Sequence, residues 1–144
     1  MGLIKSEFGT RNAESKSMFE EKSKGRNPQD LKQRTKRFAL DVIRFVESLP
    51  RVETCRILGR QLLRSGTSVG ANYRAAKRAK SSADFISKMG NVEEESDESA
   101  YWLELLVDSG KVKQAQADCL IREANELLAI TVASINTARR KTSR

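Results

Sequence analysis

Between residues 30 and 138 apolar side chains return in steps of three and four, interrupted only by short polar turns, and each uninterrupted run is long enough to make a helix. The first run is Leu31, Phe38, Val42, Phe45 and Leu49, widened by Ala39, Ile43 and Val46. Asn27 is a capping residue, Pro28 suits the first helical position, Asp30 favours the positive end of the helix dipole, and Pro50 ends the run. The second run, from about Cys55 through Arg78, follows Leu58, Leu62, Ser65, Val69, Asn72, Ala76 and Ala79, with Glu53 or Thr54 as its cap. Ser81-Ser82-Ala83-Asp84 reads as a capping box that opens the third helix, lined by Phe85, Met89, Val92, Leu103 and Leu106, with Ile86, Trp102 and Val107 on its flanks. Its seam turns polar at Ser96 and Ser99, and Ser109-Gly110 stops it. The fourth runs from about Gln114 to Thr137 on Ala117, Leu120, Ile121, Ala124, Leu127, Leu128, Thr131, Ile135 and Ala138.

Four helices on short turns place sequence neighbours antiparallel, so the expected fold is all-α, an antiparallel up-down-up-down four-helix bundle. A length of 144 residues is that of one domain, and 8 Gly and 2 Pro leave little to break helices. The bundle is expected over residues 27–138. Residues 1–26 show no sustained period and read as a flexible N-terminal extension with at most a helical turn at Met18 to Lys22, and 139–144 as a frayed basic tail. No run reaches the roughly 18 apolar residues of a membrane span, and the N-terminus lacks the apolar core of a signal peptide, so a cytoplasmic protein with no membrane partner is expected.

The second helix is the unusual one. Its seam is small and polar, and Gly66 and Gly70 each cost about 1 kcal/mol of helix propensity relative to alanine, so a close neighbour has to offset them.

Charge and side-chain inventory narrow the function. Without histidine the chain has no Ser-His or Cys-His nucleophile pair, no common zinc site and no Glu-x-x-His di-iron site, so a non-enzymatic protein with no cofactor is expected. Cys55 and Cys119 lie too far apart for a paired-cysteine metal motif and read as reduced, partly buried thiols. Residues 51–80 hold eight Lys or Arg and one acid, whereas residues 81–110 hold one Lys and eight acids, so the hairpin should neutralise itself across its groove. Aligned about Ser81, that hairpin sets Ser65, Ser68 and Asn72 against Glu93 and Asp97. These form a polar layer that fixes register or, as the lesser reading, a divalent-metal site open to test with Mg²⁺ or Mn²⁺. The net charge of +8 points to a polyanion, RNA or DNA. The phosphate-contacting residues expected are Lys32, Arg34, Lys36, Arg37, Arg60, Arg64, Arg74, Lys77, Arg78, Arg139, Arg140 and Lys141. The alternative is a protein-interaction scaffold with no nucleic-acid role.

Three stretches, DLKQRTKRFALDVIRFVESLP at 30–50, QLLRSGTSVGANYRAAKRAKSSADFISKM at 61–89 and DESAYWLELL at 97–106, resemble the small four-helix-bundle proteins encoded in intervening sequences of bacterial 23S ribosomal RNA genes. That family is similar in turn to the accessory protein of diversity-generating retroelements. The resemblance spans about residues 28–138 and implies a ring-like homopentamer whose basic surface, in the retroelement relative, contacts RNA and a reverse transcriptase. It supplies no catalytic residue. Ala75 and Glu94 depart from the family pattern, which often has Glu and Lys there, so a charge pair at those positions does not carry over. In a pentamer, Gly66 and Gly70 would admit a second subunit's helix, and Tyr73, Tyr101 and Trp102 would either anchor that contact or cap the bundle core.

Overall fold

The computed structural model describes residues 28–143. The expectations for residues 1–26 and for the Asn27 cap lie outside the described residues. Four helices follow one another: α1 Pro28–Glu47, α2 Glu53–Lys77, α3 Ser82–Asp108 and α4 Gln114–Thr142. No strand occurs among the described residues. Packing is described for the compact unit Lys32–Arg144.

Local chemistry sets the helix ends. At α3 the Ser81 hydroxyl accepts the Asp84 N–H at 3.0 Å, and the Asp84 carboxylate reaches back to the Lys80 N–H at 3.1 Å, so the expected box closes one residue early on its return side. Gly110 beyond α3 has φ of +76°, a left-handed conformation that glycine adopts without strain. α2 differs from expectation: its cap is Val52, which has no side chain able to bond the free N–H groups, and Glu53 lies in the first turn instead. There the Glu53 carboxyl is held below its ordinary range, chiefly by its hydrogen bond from Arg56. α4 continues past Thr137 to Thr142, so most of the expected frayed tail is helix.

The glycines of α2 are consumed inside the chain. A Cβ at Gly59 would meet Leu49 at 3.0 Å and Val46 at 3.3 Å, one at Gly66 would meet both Val42 methyls at 2.9 Å, and one at Gly70 would meet the Thr35 hydroxyl at 3.2 Å. α1 therefore runs antiparallel along this strip, and its close approach offsets the helix-propensity cost. This corrects the expectation that Gly66 and Gly70 admit a helix of a second subunit. Thr35, passed over as polar, is buried at the contact and turns its hydroxyl back to the Lys32 carbonyl at 3.1 Å.

α2 packs on α3 and α3 on α4. The core is Phe38, Val42, Leu62, Val69, Met89, Val92, Leu103, Leu106, Ala117, Ala124 and Leu127, as the period requires, together with Cys55 and Tyr73. Tyr73 is 3% exposed and belongs to the core, and burial pushes its phenol above the usual range. Tyr101 is 52% exposed, so of the named aromatics it remains at the surface.

A candidate nucleic-acid interface

Antiparallel packing decides which of the predicted cations meet. Thr35 of α1 lies level with Gly70 of α2, and Arg34 reaches Glu123 and Glu126 of α4, so the early part of α1 shares one half of the bundle with the end of α2 and the end of α4. Lys32, Lys36, Arg37, Arg74, Lys77, Arg78, Arg139, Arg140 and Lys141 all belong to that end. All nine are exposed, and none has an ion-pair partner among the described residues. Some of this charge serves the fold, since Arg74, Lys77, Arg139, Arg140 and Lys141 sit in last turns, where cations offset the negative end of the dipole. The start of α1 and the ends of α2 and α4 nevertheless carry their remaining positive charge toward one end of the bundle, a surface whose sign suits a polyanion.

Three predicted residues do not join the group. Arg60 is exposed on the early part of α2, beside Gly59, which meets Val46 and Leu49 at the far end of α1. Arg34 was expected on a polar face, but its side chain is only 9% exposed and grips Glu123 in a two-pronged bond, Nε to Oε1 at 2.7 Å and Nη2 to Oε2 at 3.1 Å, with Glu126 at 3.0 Å. Donating to the Glu123 carboxylate raises the pKa of the Arg34 guanidinium above its ordinary range, and both carboxylates of α4 are within contact. Arg34 is thus an interior tie between α1 and α4, unavailable to phosphate. Arg64 crosses to α3, donating to Glu98 at 2.7 Å and lying 3.5 Å from Glu95.

The hairpin neutralises itself less than the sequence suggests, because Arg64 provides its ion pairs between α2 and α3 among the described residues. The polar layer also differs. Ser99 of α3 donates to Ser65 of α2 at 3.0 Å inside the core, while Asn72 and Ser68 turn to carbonyls of their own helix. Asp97 faces solvent, Glu93 is half-buried, and no group of three or more Cys, Asp or Glu placed to hold a metal ion occurs among the described residues. The carboxylate that matters is Glu95, which sequence reasoning missed: its Oε2 is shut off from solvent without a hydrogen-bond partner, and desolvation raises its pKa.

The match to known families bears on this arrangement. The model of the 23S rRNA-intervening sequence proteins fits residues 28–133, that is, α1 through most of α4. The chain belongs to that family. A solved relative is a protein of unknown function from the S23 ribosomal protein family of Bacteroides thetaiotaomicron, 32% identical, with a TM-score of 0.69 over 73% of this chain and 97% of that one. No curated protein matches. The matched residues take in parts of all four helices and end before the basic last turn of α4. No helix among the described residues is long and apolar enough to cross a membrane.

Proposed function

We propose that the protein is a non-enzymatic module whose basic bundle end grips the phosphate backbone of RNA or DNA, free or within a nucleoprotein. The observation that carries this reading is the set of nine exposed Lys and Arg side chains on the start of α1 and the ends of α2 and α4, toward one end of the bundle, none with an ion-pair partner among the described residues. Such contacts position a nucleic acid without reading its sequence. Five phosphates neutralised would give a salt slope near −4.5, or about 500-fold weaker binding between 50 and 200 mM salt. In an oligomer several such ends would act on one strand and raise avidity without new contacts. The physical case for oligomers no longer includes the glycine strip, so light scattering on the 16.2 kDa chain tests that part separately.

The test is a fluorescence-anisotropy titration of a labelled structured RNA across salt concentrations. Arg140→Gln and Lys77→Gln are each expected to lower the slope by about 0.9. An affinity indifferent to salt, or unchanged in both variants, removes the reading. Partners that survive nuclease in a pull-down favour a scaffold that works through protein contacts instead.

A further inference from the structure

The outer groove between α2 and α3 carries mismatches that the isolated chain leaves unresolved. Glu95, Glu98 and Trp102 follow one another on α3 at steps of three and four and share a face; Ile57 and Arg64, seven apart, share the facing side of α2. The bond from Arg64 to Glu98 fixes the register of the groove, which then runs toward Ile57 on one helix and Trp102 on the other. Two carboxylates here share one guanidinium. Arg64 is committed to Glu98 at 2.7 Å and stands 3.5 Å from Glu95, beyond good hydrogen-bond length. Glu95 Oε2 is left as a buried acceptor with no donor, and Trp102 Nε1, two turns along the same face, as a buried donor with no acceptor among the described residues. Alongside them Ile57 is 50% and Tyr101 52% exposed, with the Tyr101 ring 5.1 Å from that of Trp102. Glu94 and Asp97 add exposed negative charge on α3.

We infer that this groove docks a basic, partly apolar peptide segment of another protein, its cation meeting Glu95 and Glu98 and its apolar side chain covering Ile57 and Trp102. The exposed acid is Glu98, 45% accessible against 19% for Glu95, and a guanidinium or ammonium placed on it shares the two negative charges that Arg64 alone must balance. The combination of a partly buried acid with flanking aromatic and aliphatic surface selects such a segment over a free cation, and its negative charge turns nucleic acid away. The surface is therefore distinct in ligand from the basic end.

Trp102 is the single tryptophan of the chain, so its emission reports on the groove directly. The full chain is titrated with an amidated 15-residue peptide carrying Arg and Leu at three- and four-residue steps. A saturable one-to-one change in Trp102 emission is expected, at least tenfold weaker in Glu95→Gln/Glu98→Gln and in Ile57→Ser, and absent when the peptide carries Glu in place of Arg. Glu104→Gln, an exposed acid elsewhere on α3, should leave the affinity unchanged. No saturable change, or equal weakening by Glu104→Gln, overturns the proposal. An emission shift on raising the concentration of the chain alone also overturns it, because a second copy then fills the groove. Far-ultraviolet circular dichroism confirms that each variant is folded before it is compared.

Discussion

Replacing Gly66 with alanine tests whether α1 seats on α2 as closely as the structure shows. The new Cβ would lie 2.9 Å from both Val42 methyls and 3.2 Å from the Val42 Cβ, where ordinary contact begins at 3.4 Å. Val42 is fully buried and its branched Cβ allows few rotamers, so the overlap is relieved only by parting the helices. Overpacking of this kind costs about 1–3 kcal/mol, against about 1 kcal/mol gained in helix propensity. Gly90 on α3 is the internal control, because a Cβ there meets nothing within 4 Å and the propensity gain should appear undiminished. In urea unfolding followed by circular dichroism, Gly90→Ala should gain about 0.5–1 kcal/mol and Gly66→Ala should fall about 1–3 kcal/mol below it, a net loss of up to about 2 kcal/mol. Their melting temperatures should differ by several degrees, at about 2–4 °C per kcal/mol for a chain of this size. Val42→Ala combined with Gly66→Ala should cost less than the two losses added, since each relieves the other. If Gly66→Ala is as stable as Gly90→Ala, the close approach of α1 and α2 is wrong.

The other predictions separate fold from function. Arg34→Gln should destabilise by about 3 kcal/mol, because it leaves Glu123, whose side chain is 13% exposed, without its partner; the salt slope of nucleic-acid binding should not move, whereas Arg140→Gln should show the reverse pattern. Glu95 has a folded-state pKa above its unfolded value, so its ionisation opposes folding at neutral pH and this penalty fades as pH falls through the raised pKa. Glu95→Gln should accordingly be at least as stable as wild type at pH 7, with the difference narrowing toward pH 4 in parallel melts. Val52→Asp should supply the missing α2 cap and add about 0.5–1 kcal/mol, while Ser81→Ala should remove the α3 cap and cost about 1 kcal/mol, both read in urea melts.

The helices were legible because their seams obey a period that only one geometry explains, and their ends because Pro50, Ser81 and Gly110 carry local conformational preferences. What escaped depends on partners far away in the chain. Nothing near Arg34 distinguishes it from Lys32 or Lys36; its burial is decided by Glu123, 89 residues on. Thr35 and Cys55 look out of place in an apolar seam until a glycine or a tight helix contact makes small side chains the right size. The alignment about Ser81 put Asp97 opposite Ser65, where Ser99 stands, because residue 97 has rotated off the shared face. The basic end was present in the sequence as scattered cations, and topology alone assembled it.

The tie between Arg34 and Glu123 also bears on how the chain folds. Val42 and Gly66 can find each other across 24 residues, and each helical hairpin closes over similarly short loops. Joining Arg34 to Glu123 directly from the unfolded ensemble would enclose 89 residues, about 1 kcal/mol more in loop entropy, so the pair forms at least cost when the intervening hairpins already stand. Two charges that leave water only at that stage make the first and last helices commit together, and a chain lacking either of them would hold those two helices less firmly.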